Sequence, residues 1–503
     1  MWAAYTNHRT LVTLSGLLRL HLLIRRCPHA DCSRYRRPYR PEAEGALGLP
    51  EHEFGLDVIA LIGSLRYVQH QSGPEIHRAL QARGVDIAVR SVTYLLERYD
   101  ELLALSLTDA ERLREITTRE GRVILALDGL QPDVGHEVLW ILRDCLSGEV
   151  LLAKSLLSAT AEDLGALLRS VADVLPVPIE GVVSDGQQSV RKAIRSALPG
   201  VPHQLCHFHY LREASLPIYE ADRHAKKELK KRVRGIRVLE RQVESRDDAE
   251  AEVVRGYCAA VRSALTDDGR PPLRASGLLL HERLSAIEHS LAEAEKRGPL
   301  PRPLTKLRAL LRRGLDQTDA LWPDVRTAFA WVHRAAHVLG NAEEHGALEV
   351  MRGMRALLGA MARHQAKAGA LAPALQRFLK VTRSYWPGLF HCYAVDGLPR
   401  TNNDLEQFFG SSRHHERRAT GRKSASPALV LRGSVRLISG AATRVRSRSG
   451  PELQPRDPAR WRQLRRQLDS RVQVRRCGLR FRRDPAAYLK SLEKELHKLV
   501  LPP

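Results

Sequence analysis

Read for the spacing of its apolar positions, the chain changes period three times. Leu56 to Val68 has the spacing of an amphipathic helix. Gly73-Pro74 opens a short helix from Glu75 to Arg83, and Gly84 breaks it. Val85-Asp86-Ile87 then leads into a third helix, Ala88 to Leu103, with Ser91 and Thr93 near its start. Helix, glycine-centred turn, helix is the pattern of a helix-turn-helix, whose second helix enters the DNA major groove, although ordinary helical hairpins share it. From Arg122 the period becomes extended. Arg122-Val-Ile-Leu-Ala-Leu-Asp128-Gly129, Glu137 to Arg143 and Glu149 to Leu157 read as three strands of an antiparallel meander, with a turn at Ser147-Gly148. Ala161 to Leu175 is an amphipathic helix with Glu162-Asp163 in its first turn. Pro178 to Asp185-Gly186 is a fourth strand, Gln188 to Leu198 a helix, and His203 to Phe208 a fifth short strand. The order β-β-β-α-β-α-β predicts a mixed α/β sheet.

Residues 211–395 lose the strand signal and read as an all-α block, with breaks at Gly269-Arg-Pro-Pro272, Gly298-Pro-Leu-Pro301 and Trp322-Pro323. Its run Lys226 to Arg241 is strongly basic, which suits either a solvated face or a nucleic-acid contact. In Leu398-Pro-Arg-Thr401-Asn402-Asn-Asp404-Leu-Glu406-Gln-Phe-Phe-Gly410, Thr401 or Asn402 can cap a helix whose first two turns hold Asp404 and Glu406. The last ~90 residues, with stretches such as Arg444-Val-Arg-Ser-Arg-Ser449, read as partly disordered or ordered on binding.

Charge sharpens this picture. The 503 residues carry 80 Lys+Arg against 57 Asp+Glu, a net +23, with 43% hydrophobic and 27% charged residues. That length suggests about three domains, and the composition excludes wholesale disorder. From Gly410 to Pro503 there are 24 Lys+Arg and 7 Asp+Glu, so +17 of the charge sits in the last fifth of the chain. Such a surface attracts polyanions, nucleic acid above all. Most of these cations are arginines, whose planar fork suits phosphate, although a GC-rich genome also enriches arginine.

Seven cysteines without a paired framework favour a reducing compartment. Cys27-Pro-His-Ala-Asp-Cys32 can form one knuckle of a structural zinc site, but no second pair lies nearby. The expectation is a degenerate knuckle holding Zn²⁺, or two ordinary loop thiols. The apolar start, Leu11 to Ile24, is broken by Arg19 and His21 and is too short to span a bilayer. A soluble cytoplasmic protein with no membrane partner is expected.

Asp128 and Asp185 each end a strand and precede a glycine. Asp-Gly is also ordinary turn chemistry, so neither position is diagnostic alone. On the first and fourth strands of one β-β-β-α-β sheet, however, they are expected to be neighbours. Close carboxylates repel unless a divalent cation lies between them, and hard oxygen donors select Mg²⁺ or Mn²⁺.

Ala-Leu-Asp128-Gly, Val-Val-Ser-Asp185-Gly and Thr-Asn-Asn-Asp-Leu-Glu406-Gln-Phe-Phe-Gly resemble, in this order, the acidic triad of bacterial insertion-sequence DDE transposases. Cys206-His-Phe-His209 is similar to the Cys/Asp-x-x-His motif of transposases that carry a helical insertion. The resemblance spans about residues 120–425. It implies an α/β fold: an RNase H-like mixed-sheet catalytic core interrupted by a large all-α insertion, with an N-terminal helix-turn-helix region and a basic C-terminal tail. The organisation expected is an N-terminal basic segment with the knuckle (1–55), a helix-turn-helix region (56–118), the first part of the core (119–210), the all-α insertion (211–397), the final core helix (398–425) and an arginine-rich region (426–503).

The resemblance further implies that Asp128, Asp185 and Glu406 hold two Mg²⁺ or Mn²⁺ ions for in-line phosphodiester displacement. Asp133, beyond Pro132, and Asp404, on another helix face from Glu406, are the rival carboxylates. Cys206 and His209 are read as support for the active site, or as a DNA contact, ahead of a metal site. Arg413, Arg417, Arg418, Arg422 and Lys423 are expected to hold DNA phosphates, with Ser91 and Thr93 as further DNA contacts. Trp322, Trp331 and Trp386 read as core residues before base-stacking ones. The implied function is a transposase that binds inverted repeats at transposon ends and cuts and joins strands, with transposon-end and target double-stranded DNA as partners. It would act as a homo-oligomer on paired ends, in the bacterial cytoplasm at the nucleoid. The alternatives are a degenerate or domesticated sequence-specific DNA-binding protein and a metal-dependent nuclease.

Overall fold

The computed structural model describes residues 1–131 and 137–500, the side chain of residue 500 excepted. Asp133 therefore lies outside the described residues. The fold is mixed α/β, with a five-stranded mixed sheet and a large helical region. By contact the chain forms two compact units: residues 1–179, 192–199 and 403–503 make the first, and residues 180–191 and 200–402 the second.

The first unit opens with strands that the sequence reading lacks. β1 (Trp2–Thr13) and β2 (Gly16–Arg26) form an antiparallel hairpin, with Thr13 paired to Gly16. The broken apolar run 11–24 is a fold-back about Gly16, whose φ of +109° suits glycine. Leu11, Leu22 and Ile24 are buried while Leu17 and Leu23 face solvent. A short helix, α1 (Ala43–Leu47), follows.

The three helices read from apolar spacing are present: α2 (Leu56–Tyr67), α3 (Gly73–Gln81) and α4 (Val89–Leu107). Ser72 and Glu75 close a reciprocal capping box on α3. Leu56, Ile59, Ile62, Ile76, Leu80, Val92 and Tyr99 share one core. α5 (Ala110–Glu120) then leads into the sheet.

β3 (Val123–Leu130), β4 (Val138–Asp144) and β5 (Val150–Leu156) form the expected antiparallel meander. Asp144 fixes its turn by accepting from Ser147 N at 2.9 Å and Ile124 N at 3.1 Å. After α6 (Ala161–Ala172) come β6 (Ile179–Ser184), α7 (Gln188–Ala197) and β7 (His203–Leu205). The strand order is β5-β4-β3-β6-β7, so the first and fourth strands of the reading are neighbours as expected. Val123 N bonds Pro178 O at 3.0 Å, so β3 and β6 start from the same end and run parallel. β6 and β7 are also parallel. The fifth strand stops at Leu205, short of the expected Phe208, because Cys206 is the N-cap of α8 (His207–Ala214).

The second unit continues with α9 (Leu216–Arg232), α10 (Ile236–Arg241), α11 (Ala249–Thr266), α12 (Ser276–Arg297), α13 (Arg302–Asp316), α14 (Trp322–Gly340), α15 (Ala347–His364) and α16 (Ala372–Tyr385). Buried Asp222 of α9 accepts from Gly277 N and Leu278 N, both at 2.8 Å, and so ties down the start of α12. Two apolar cores fill this block. Trp322 and Trp331 are buried in them and Trp386 packs at the edge, as core residues.

Back in the first unit, the chain is helical where the sequence suggests partial disorder: α17 (Asn403–Thr420), α18 (Pro427–Val445), α19 (Pro458–Arg483) and α20 (Pro485–Val500). α18 packs against α2, α4 and β5. A buried polar set links these helices. Glu101 accepts from Arg98 at 2.8 Å and from Trp461 Nε1 at 2.9 Å, and it pairs with Arg432. Arg436 bonds Glu416 at 2.8 Å. Among the described residues, no helix is long and apolar enough to cross a membrane.

Candidate functional site

In the first unit the candidate residues are Asp128 and Glu406. Val123 to Leu127 are buried, so β3 is pinned on both faces, and Asp128 follows as its first half-buried position. Asp128 pairs in register with Ile141 of β4, and its Oδ1 accepts from Gly129 N at 2.8 Å. α17 packs against β3. Its buried face is Leu405, Phe409, Ser412, His415, Glu416 and Ala419. Glu406 sits half-buried beside that face, whereas Asp404 is exposed. Burial first, then the Asp144 carboxylate and to a smaller extent Asp404, raises the Cys145 thiol to about 12.

In the second unit the residues are Asp185, Cys206 and His209. Asp185 directly follows β6, and its Oδ1 accepts from Gln187 N at 3.0 Å, turning the chain into α7. Gly186 has φ +92°, and a Cβ there would meet Tyr385 Oη at 2.6 Å. Tyr385 is fixed in turn: its hydroxyl donates to Glu213 Oε2 at 2.6 Å, and the Arg191 guanidinium lies 4.3 Å from its ring centroid. Burial first, then that bond to Glu213, pushes the Tyr385 phenol well above its usual range.

Cys206 ties two chain segments together. Its backbone N donates to Ser184 O of β6 at 2.8 Å, and its sulfur accepts from Asn402 N at 3.3 Å. Next to it, His207 N donates to Arg400 O at 3.0 Å, and His207 Nε2 donates to Leu389 O at 2.8 Å. Burial lowers the His207 imidazole to about 4. The Cys206-His-Phe-His209 motif thus holds residues 400–402, and α17 begins at the next residue. His209 is half-buried in the first turn of α8.

The other candidates lie on the surface. Arg413, Arg417, Arg418, Arg422 and Lys423 are all exposed, on α17 or just beyond it. On α4, Thr93 is exposed and Ser91 half-exposed. The loop after β2 carries buried Cys27 and half-buried Cys32. Arg34 N donates to Cys32 Sγ at 3.4 Å, which, with a bond to Cys27, holds the Cys32 thiol below its ordinary value. Among the described residues, no third His, Cys, Asp or Glu completes a metal-ligand group with this pair.

The polar set around Glu101, Glu416 and Asp100 was not readable from spacing. Asp100 accepts from Tyr67 at 2.6 Å and from Ser439 at 2.7 Å, and burial raises its carboxyl. The only sequence signal was the presence of arginines at apolar-facing positions of α18. The chain matches no known protein family description and none of the curated proteins.

Proposed function

We propose that the chain is a DDE-type DNA transposase that cleaves and joins strands at transposon ends. The observation that carries the reading is the placement of acidic residues along the sheet. Asp128 lies on β3 and Asp185 at the end of β6, on adjacent strands that start from the same end. The helix bearing Glu406 packs on β3. The ordered resemblance of these three segments to the acidic triad is the second support.

The proposed donor set is three carboxylates, hard oxygen ligands of the kind Mg²⁺ and Mn²⁺ prefer. In this reading Asp128, Asp185 and Glu406 hold the ions. When bound, the metals would activate a water or a DNA 3′-hydroxyl and stabilise the departing 3′ oxygen. The protein's own residues do the rest. The β3 and β6 backbones fix the aspartates, and Cys206 and His207 hold the segment leading to Glu406. The exposed cations after Glu406 bind phosphates by charge. The α2–α4 region, with Ser91 and Thr93, reads the terminal repeat, and paired ends call for a homo-oligomer.

The test uses the full chain, Mg²⁺ and a supercoiled plasmid carrying the DNA that flanks the coding sequence. Cleavage followed by joining to a second DNA is the expected result. Cleavage without joining makes the protein a nuclease, and retention without cleavage makes it a binding protein. Either outcome overturns the transposase reading.

A further inference from the structure

The arginine-rich C-terminal region is an ordered helix with two unlike faces. The inner face of α19 is anchored: Trp461 and Leu468 are buried, and Arg471 bonds Val430 O at 3.1 Å and Glu137 at 2.7 Å. Asp457 caps its start, accepting from Ala459 N at 2.7 Å and Arg460 N at 3.1 Å. The opposite face follows alternating steps of four and three: Arg462, Arg466, Asp469, Gln473, Arg476, Arg480, Arg483. Those steps keep one line along an α-helix. All seven positions are exposed. The one acid among them, Asp469, pairs with Arg465 at 3.9 Å. Among the described residues, no carboxylate pairs with any of the five arginines on the line. From Arg462 to Arg483 the line runs about 32 Å at 1.5 Å per residue. That is about one turn of B-form DNA.

We propose that this outward face of α19 is a phosphate-tracking ridge that lies along duplex DNA. The inference rests on the DNA-processing reading and adds a surface to it. A helix that needed only solubility would mix charges along its outer line, as exposed helices do. Here, five arginines without a carboxylate partner among the described residues line a helix that is anchored along its first half, through Trp461, Leu468 and Arg471, so the array meets the polyanion on an ordered scaffold. Arginine adds bidentate contact with phosphate oxygens. Helical order, rather than sequence-specific contact, sets the spacing, so binding along the ridge is independent of base sequence.

The test is the full chain with Arg462, Arg466, Arg476 and Arg480 all changed to Gln, titrated with a labelled duplex of arbitrary sequence at several KCl concentrations. Loss of four phosphate contacts is expected to flatten the slope of log K against log salt by about 3 to 4, and to weaken binding at least about tenfold near 0.1 M salt. The same four positions changed to Lys keep the charge and are expected to keep most of the slope. A control with Lys227, Arg234, Arg237 and Arg241 changed to Gln removes equal charge from an exposed basic stretch of the second unit. Its slope is expected to change by less than about 1. An unchanged slope in the α19 variant, or an equal loss in the control, overturns the ridge. So does tighter binding of a duplex RNA of the same length. Metal-dependent nicking by the wild-type chain reads the proposed chemistry separately: nicking with an unchanged slope sinks the ridge alone, and duplex affinity without nicking sinks the chemistry alone.

Discussion

Asp185 is held by its neighbours more tightly than its own turn requires. Gly186 combines a left-handed φ with a Tyr385 ring where a Cβ would sit, so Gly186→Ala is strained both in backbone and in space. Such a change is expected to lower stability by more than about 1 kcal/mol. Strand cleavage should fall with it, because the loop that carries Asp185 has to move. An unchanged urea midpoint would contradict this account of the loop. A second prediction concerns buried histidines. Burial, then the charge of nearby arginines, lowers His52 to about 4 and His415 to about 2. Unfolded histidine titrates near 6.5. Between about pH 6.5 and 4 the unfolded chain therefore binds more protons than the folded one, and stability rises with pH. Acidification from pH 7 to 4 should thus lower the unfolding free energy, and His52→Gln should flatten that slope. A pH-independent midpoint over this window would show that these rings are hydrated in the folded protein.

At the scale of elements, many helices and strands were legible from apolar runs bounded by glycine, proline and polar breaks, with or without a clean period. α3 and α4 follow from their apolar spacing, but α2 is not the amphipathic helix expected, since it is buried on nearly all sides, and β3 is a continuous apolar run rather than an alternating one. The β1–β2 hairpin was not legible: Leu17 and Leu23 face solvent, so its strands do not alternate cleanly between apolar and polar. The C-terminal helices were misjudged for another reason. Arginine carries the composition of a disordered tail, yet Asp457, Trp461 and Leu468 supply a cap and two anchors that composition does not weigh. Of the candidate acids, Asp185 directly follows β6 as the sequence suggests, whereas Asp128 lies inside β3, which runs on to Leu130, and Glu406 is on α17; the role of Cys206 depended on a sulfur contact with Asn402 that spacing cannot show. The ionic set linking α4, α18 and α19 needed coordinates altogether. Its centre is Glu101, fully buried against Arg98, Arg432 and Trp461. Removing one member of a buried pair leaves the partner charge without compensation. Glu101→Ala is therefore expected to cost about 3–5 kcal/mol, read as a shift in denaturant midpoint. A loss below about 1 kcal/mol would mean that water reaches the two guanidiniums.

Over the whole molecule, a net charge of +23 attracts nucleic acid without choosing what is done to it. In the proposed reading, that choice lies with the carboxylates. Asp185→Asn is expected to abolish metal-dependent cleavage while duplex affinity stays within about threefold, since phosphate contacts come from cations elsewhere. Loss of binding as severe as the loss of cleavage would assign Asp185 to structure instead. The most direct measurement replaces Mg²⁺ with Fe²⁺, adds ascorbate and peroxide, and maps where the polypeptide is cut by radicals released at the bound metal. The account predicts cuts in three separate stretches, around residues 128, 185 and 406, all suppressed by excess Mg²⁺. Cuts that omit the stretch around 406, or that fall only beside Cys27 and Cys32, would contradict it.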